Sequence, residues 1–141
     1  MDHASLTLLL ADASDPQAAA VRAGLQAAHV DALLVRTHGA PEALDLLRGS
    51  GGRDPLHARA VLLLSLAQPD AVHCLAALRE EPMLARTAVF VVGPPSAAEP
   101  LLRDLAGQVL GCIDPEAPLD GCRQVRELVD HYALMSQAQA D

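Results

Sequence analysis

Lysine is absent from the 141 residues of this chain, so arginine supplies all ten basic charges. Tryptophan is absent as well, and Phe90 and Tyr132 are the only aromatic residues. The missing lysine excludes any chemistry that needs a lysine ammonium group. The scarcity of rings, together with a first loop that lacks glycine, argues against a flavin or nucleotide site. Leu, Val and Ala must build the core, since 51% of the residues are apolar.

Acidic residues outnumber basic ones by eighteen to ten, which gives a net charge of −8. The arginines are spread along the chain and form no cluster. An acidic surface without a basic patch disfavours nucleic acid and anionic membranes as partners. Residues 1–5 are acidic and precede only a short apolar run, so we expect neither a signal peptide nor a membrane span. This pattern is typical of a cytoplasmic protein.

The three cysteines and six histidines show no metal-binding spacing. Cys74, Cys112 and Cys122 form no CxxC pair, and their odd number predicts reduced thiols that behave as small hydrophobic residues. The histidines lack HxxxH and HExxH spacing, which favours scattered surface positions over zinc binding. We therefore expect no metal and no cofactor.

Five short apolar runs alternate with helical stretches, which predicts a parallel sheet covered by helices on both faces. The runs are Leu6–Leu10, Ala32–Val35, Val61–Leu64, Ala88–Val92 and Val109–Ile113. Right-handed crossovers then predict an α/β, flavodoxin-like (βα)5 doubly wound sheet with strand order 2-1-3-4-5. We expect one domain over residues 1–141, with its core at about 6–132 and a C-terminal helical extension to about 136.

Helix-start signals lie between the strands. Ser14 and Gln17 have capping-box spacing before the first helix. Asp70 is the predicted N-cap of the third helix. The segment Ser96-Ala97-Ala98-Glu99 resembles a second capping box, which places Pro100 in the first turn of the fourth helix.

Segments at the strand ends resemble response-regulator receivers. Leu8-Leu9-Leu10-Ala11-Asp12 is similar to the receiver's first strand, and Leu64-Ser65-Leu66-Ala67-Gln68-Pro69 to its phosphoacceptor segment. Val91-Val92-Gly93 resembles the fourth strand, and Gly107 through Pro115 the fifth. The loop from Gly49 to Pro55 further resembles the single-domain receivers found beside phytochrome-type histidine kinases.

The resemblance implies five chemical positions, and only Asp12 keeps the expected residue type. Ala13 stands where a receiver has its second metal-binding acid, and Ser65 where it has the phosphoacceptor aspartate. Gly93 replaces the hydroxyl residue that contacts the phosphoryl group. Asp114 occupies the lysine position. The implied pocket is therefore a degenerate one.

These departures remove the groups that phosphoryl transfer needs. An aspartyl phosphate concentrates negative charge, which Mg²⁺ and a lysine ammonium normally neutralise. Asp12 alone is a poor Mg²⁺ site, because hard cations prefer several oxygen ligands. Gly111 also takes the position of the aromatic residue that reports the receiver switch. The hypothesis is a pseudo-receiver, which keeps the fold, has lost the phosphoryl chemistry and is not an enzyme.

Two functional classes stay open. The first is an interaction module that binds a histidine kinase, another signalling protein or itself. The second is a small-ligand or cation sensor that uses Asp12, Ser65 and Asp114, although a solvated polar rim is the preferred interpretation of these three residues. Ser65 lacks a GxSxG setting, which favours a buried hydroxyl bonded to backbone over a nucleophile. Phosphorylation at a displaced acid such as Asp70 is disfavoured by its predicted capping role.

The resemblance also implies an interaction face made by the fourth helix, the fifth strand and the fifth helix. The predicted buried stripe of the fifth helix contains Cys122, Val125, Leu128, Val129, Tyr132 and Met135. Leu134 lies nearly opposite that stripe, an apolar residue where solvent is expected. The predicted interface consists of Leu102, Arg103, Arg123, Glu127 and Leu134. Its use by a second copy of the chain would give a two-fold homodimer.

Overall fold

The computed structural model describes residues 6–49 and 55–140. Residues 1–5, on which the expectation of no signal peptide rests, lie outside the described residues. So do residues 50–54, the centre of the predicted long loop.

The described chain forms a five-stranded parallel sheet flanked by five α-helices. The strands are β1 (Thr7–Ala11), β2 (Leu33–Thr37), β3 (Ala60–Ser65), β4 (Ala88–Val92) and β5 (Val109–Ile113). The helices are α1 (Asp15–Ala27), α2 (Ala40–Arg48), α3 (Ala71–Glu80), α4 (Pro95–Asp104) and α5 (Leu119–Ala140). A short 3-10 helix, His57–Arg59, precedes β3. The strand order is β2-β1-β3-β4-β5, which confirms the predicted topology.

The core has two layers because alternate strand residues point to opposite faces of the sheet. On one face Leu62 and Leu64 pack with apolar residues of α2, α3 and α4. On the other face Val61 and Leu63 pack with α1 and α5. All four side chains are fully buried, as expected for a central strand of a parallel sheet.

Polar residues extend two strands beyond their predicted ends. β2 continues through Arg36 to Thr37, whereas the apolar run ended at Val35. β3 likewise continues one residue past Leu64 to Ser65. The register pairs Ala11 of β1 with Thr37 on one side and with Leu64 on the other. Backbone pairing with β1 therefore carries β2 two residues past the apolar pattern.

The predicted start of α4 is wrong. The helix begins at Pro95 with Pro94 as its N-cap, and no side chain caps it. Ser96 thus lies inside the first turn, and Pro100 is the sixth helical residue. Proline is favoured at the first helical position, because its φ is already helical and its missing N–H has no partner there anyway. Asp70 does precede α3 as its N-cap residue, but without a side-chain capping bond.

Close approach of α5 to its neighbours fixes that helix on the sheet. A Cβ atom on Gly24 of α1 would lie 2.9 Å from the Cys122 sulfur and 2.9 Å from Cβ of Pro118. A Cβ on Gly121 would lie 2.8 Å from Cα of Ile113 in β5. Cys122 is fully buried in this contact, and burial raises its pKa to about 11, so its thiol stays protonated.

Candidate functional site

The register of the sheet brings the predicted site residues to one edge. Ala11 pairs with Leu64, and Ser65 pairs with Val92. Val92 pairs in turn with Ile113. Asp12, Ser65, Gly93 and Asp114 therefore lie at or just beyond the carboxyl ends of four neighbouring strands. The register thus places the backbone of these four residues along one edge of the sheet.

Asp12 is buried at this edge, with none of its surface exposed. Its Oδ1 accepts a hydrogen bond of 2.9 Å from the backbone N–H of Ser14, and its Oδ2 is buried without a partner among the described residues. Burial raises the pKa of Asp12, while the Ser14 hydrogen bond and the nearby Arg36 charge oppose that rise. The expectation that Asp12 belongs to a solvated polar rim is therefore wrong.

Arg36 brings a positive charge next to Asp12. Its Nε donates to the backbone oxygen of Asp12 at 3.1 Å, and its Nη1 pairs with Oδ1 of Asp15 at 2.8 Å. Its Nη2 is buried without a hydrogen-bond partner in the described part of the chain. Arg36 thus brings a positive charge to this lysine-free site from β2, which lies on the side of β1 opposite to β3. Its guanidinium is held by the backbone oxygen of Asp12 and by the Asp15 carboxylate of α1.

Ser65 is fully buried and its hydroxyl is engaged twice. Its Oγ donates to Oε1 of Gln17 at 2.8 Å and accepts from the backbone N–H of Ala67 at 3.2 Å. The predicted backbone hydrogen bond is thus present, although Ser65 is not part of a solvated rim. An amide oxygen is not a base that could activate a serine hydroxyl, so this contact gives no nucleophile.

Gln17 is a site residue that sequence reasoning missed. Its capping-box spacing suggested that its side chain would reach back to the N-cap. Only half of that box forms: the Gln17 N–H donates to Oγ of Ser14 at 3.2 Å. The side chain turns to Ser65 instead. The Ser14 N–H, which a capping box would satisfy, is already bonded to Asp12.

Gly93 and Asp114 complete the edge. Gly93 is buried, and a Cβ there would lie 3.3 Å from the Leu66 side chain, so a threonine would be tight but not blocked. Asp114 is half-exposed, and its Oδ1 accepts from the backbone N–H of Glu116 at 3.0 Å. Asp114 therefore caps its own turn, as aspartate commonly does.

An open pocket of about 450 Å³ lies over this edge. Its wall consists of Ser14, Pro16, Gln17, Ala20, Pro94, Asp114, Pro115 and Glu116. Asp12 and Ser65 do not line this pocket. They contact its wall through their hydrogen bonds to Ser14 and Gln17. The charged residues of this wall are two acids, Asp114 and Glu116, which would repel a phosphoryl group.

The residues at this edge do not fit a receiver-type Mg²⁺ ion. Mg²⁺ demands an octahedral shell with accessible oxygen ligands. Ala13 supplies no oxygen from its side chain, and both oxygens of Asp12 are bonded to backbone or sealed from solvent. Among the residues the structure describes, no group of three or more His, Cys, Asp or Glu side chains could hold a metal ion.

The predicted interaction face carries exposed apolar residues. Leu134 is 67% exposed, as predicted, and Leu102 is partly buried against the core. Met135 is 50% exposed, so its assignment to the buried stripe of α5 is wrong. Leu110 on β5 is 45% exposed, and it was not among the predicted interface residues. β5 is an edge strand, and Leu110 is the one exposed residue within it.

Charged residues surround these apolar side chains. Arg103 and Arg123 are exposed and pair locally, with Asp104 at 3.7 Å and Asp120 at 3.6 Å. Glu127 is exposed on α5. Ion pairs between exposed side chains contribute little to stability, so these charges can re-pair with those of a partner at little cost.

No protein-family model and no curated protein matches the chain. Solved structures do match it. A two-component response regulator from Legionella pneumophila superposes with a TM-score of 0.72 at 15% identity, covering 90% of this chain and 99% of that one. The phosphorylated cyanobacterial phytochrome response regulator RcpA gives 0.66 at 20% identity, covering 94% and 96%. The Mn²⁺-bound response regulator Rcp1 gives 0.63 at 18% identity, covering 89% and 91%.

These likenesses define the class of fold. The chain has the receiver fold of response regulators, as the resemblance at the strand ends predicted. Its structural neighbours include phytochrome response regulators. In the described ranges no helix combines the length and the apolar character that a membrane crossing requires.

Proposed function

We propose that this chain is a non-phosphorylatable, receiver-like signalling protein that acts through protein–protein interaction in a two-component-type pathway. The observation that carries the proposal is the state of Ser65. A hydroxyl stands at the phosphoacceptor position, and it is sealed by hydrogen bonds to Gln17 and Ala67. No lysine is present anywhere in the chain to replace the one missing at Asp114.

The charges around the pocket support the same proposal. Asp114 and Glu116 line the approach, so a phosphoryl anion would meet negative charge. Arg36, the cation beside Asp12, is committed to Asp15 and to the backbone of Asp12. Phosphoryl transfer depends on preorganised positive charge at the transferring group, and the described residues supply none there.

The proposed partner is a histidine kinase or another signalling protein of the same pathway, in the cytoplasm. The receiver fold supports this class of partner, because its structural neighbours are response regulators. The face formed by α4, β5 and α5 is the proposed contact surface. Leu110 and Leu134 would form its apolar centre, and Arg103, Arg123 and Glu127 its polar rim.

The same face also fits a second copy of this chain. A two-fold axis would bring Leu134 against an equivalent apolar surface and pair opposite charges at the rim. Self-association through α4, β5 and α5 would also cover the edge of β5, which otherwise offers unpaired backbone groups.

A sensor for a small ligand or cation is the second candidate function. It is favoured by Oδ2 of Asp12, a buried carboxylate oxygen without a partner among the described residues, beside a pocket of about 450 Å³. Asp12, Ser65 and Asp114 would be its site. A sensor should lose its response in Asp12→Asn and Asp114→Ala, whereas an interaction module should tolerate both.

Intact-mass spectrometry tests the main proposal. The protein is incubated with Mg²⁺ and acetyl phosphate, and separately with an autophosphorylated histidine kinase. A phosphorylatable receiver in the same tube is the positive control. We expect no mass increase on this chain while the control gains a phosphate. A stoichiometric adduct that hydroxylamine removes would show that an acyl phosphate forms and would overturn the proposal.

A further inference from the structure

A second pocket, of about 390 Å³, lies at the opposite edge of the sheet. Its wall is formed by Arg79 in the last turn of α3, by Asp104 at the end of α4 and by the turn of residues 105–108 before β5. Strands of a parallel sheet all begin at the same edge, so this pocket is a full strand length away from Asp12 and Ser65. Any ligand bound here would therefore be independent of the receiver-type site and of the function proposed for it.

Gln108 is the unusual residue of this pocket. It is 8% exposed, and its backbone is satisfied: its N–H donates to Leu105 at 2.9 Å and its oxygen accepts from Val89 at 3.1 Å. Both polar atoms of its side-chain amide are buried without a partner among the described residues. The hydroxyl of Thr87, which precedes β4 at the same edge, is likewise buried without a partner among the described residues. Native proteins rarely leave such groups unpaired, and a leucine at position 108 would avoid the cost.

The charges beside Gln108 point to a ligand of mixed charge. Asp104 is the last residue of α4, where the helix dipole disfavours a negative side chain. Asp104 pairs with Arg103 at 3.7 Å, but both side chains are exposed and such a pair is weak, so a ligand's cationic group can replace the Arg103 guanidinium there. Arg79 is exposed on the other side and has no ion-pair partner among the described residues. A guanidinium in that position is suited to a carboxylate.

We propose that this pocket binds a small zwitterionic amide, an α-amino acid with a primary amide side chain. The ligand's ammonium group lies at Asp104 and its carboxylate at Arg79. Its amide pairs with the amide of Gln108, each donating one N–H to the other's oxygen, which satisfies both unpaired atoms. The Gln108 amide is sealed in the present conformation, so a rotation of its side chain toward the pocket accompanies binding.

Nuclear magnetic resonance titration of ¹⁵N-labelled protein tests the proposal, with L-asparagine as the probe. We expect shifts at Arg79, at residues 104–108 and at the side-chain amide of Gln108. Two analogues each lack one group: succinamate has no ammonium, and L-2-aminobutyrate has no amide. Each should bind about tenfold more weakly, since one charge-assisted or paired hydrogen-bond contact is lost.

Variants localise the effect. Arg79→Gln and Asp104→Asn should each weaken L-asparagine binding about tenfold, and Gln108→Leu should abolish the preference over L-2-aminobutyrate. Arg86→Gln and Glu99→Gln are the matched controls, because both residues are exposed and lie outside the pocket wall. If Gln108→Leu does not fold, the variants Arg79→Gln and Asp104→Asn still test the proposal. No shift at millimolar L-asparagine would mean that the pocket does not bind this ligand, and equal binding of all three probes would mean that neither the ammonium nor the amide is recognised; either result overturns the proposal.

Discussion

The hydroxyl of Ser65 lies 2.8 Å from the side-chain oxygen of Gln17, 48 positions away in the sequence. This bond joins the end of β3 to the first turn of α1. In it, the Ser65 hydroxyl donates its proton to the amide oxygen of Gln17. The Ser65 and Gln17 pair therefore links a residue of the candidate site to the stability of the fold.

Removing this hydrogen bond should destabilise the protein. Gln17→Ala leaves a buried Ser65 hydroxyl without its acceptor, so the free energy of unfolding should fall by about 1–2 kcal/mol in urea titrations. Gln26→Ala, at an exposed position of the same helix, is the matched control and should change it by less than about 0.5 kcal/mol. In a double-mutant cycle, Ser65→Ala should cost less in the Gln17→Ala background than in the wild type. Equal costs would show that the contact contributes nothing.

Restoring the missing groups should restore metal binding. The combined variant Ala13→Asp, Ser65→Asp, Gly93→Thr and Asp114→Lys returns the acids, the hydroxyl and the cation to one edge of the sheet. We expect it to bind Mg²⁺ measurably in calorimetry, while the single variants do not, because the ligands act as a unit.

The same quadruple variant with Asp12→Asn is the control for this gain. It keeps the four restored groups but lacks the remaining native acid, so Mg²⁺ binding should be lost again. A folded quadruple variant that binds no Mg²⁺ would show that the alignment of these positions to receivers is incorrect. Gly93→Thr will need a small shift of Leu66, since a Cβ there lies 3.3 Å away.

Asp12 should make the protein less stable as pH rises through the acidic range. Burial raises its folded-state pKa above the ordinary value of 3.8, so the folded state binds the proton more tightly than the unfolded state. The stabilisation that protonated Asp12 contributes is fully present below pH 3.8, and it is lost as pH rises through the folded-state pKa of Asp12. Unfolding free energies measured across this range should lose part of their pH dependence in Asp12→Asn.

Glu81 is the control that separates the pH effect of Asp12 from the effects of other acidic residues. Arg48 holds the pKa of Glu81 below its usual value, so Glu81 acts with the opposite sign and adds stability as pH rises. Glu81→Gln should therefore shift the pH dependence in the direction opposite to Asp12→Asn. Identical pH profiles for Asp12→Asn and the wild type would show that the carboxyl titrates normally.

Sequence patterns predicted the sheet well because burial and backbone pairing both follow the apolar runs. The predicted bounds of β4, Ala88–Val92, match the structure to the residue, since a central strand is apolar throughout. The errors arose where tertiary contacts override local pattern. Gln17 has a local capping signal but finds Ser65, and no spacing rule connects positions so far apart. Leu110 belongs to an apolar run, yet it is exposed because β5 is at the edge of the sheet.

Self-association through α4, β5 and α5 is the remaining prediction. Leu110 and Leu134 are 45% and 67% exposed, and burying them against a second copy would remove apolar surface from water. Light scattering at micromolar concentration should give twice the mass of one chain. Leu110→Asp and Leu134→Asp should each raise the dissociation constant at least about tenfold, because a carboxylate would be desolvated at the contact. Val72→Asp is the matched control: Val72 is 75% exposed on α3, away from this face. If the wild type stays monomeric over a wide concentration range, or if Val72→Asp weakens the dimer equally, this face does not mediate self-association and is left to a different partner protein.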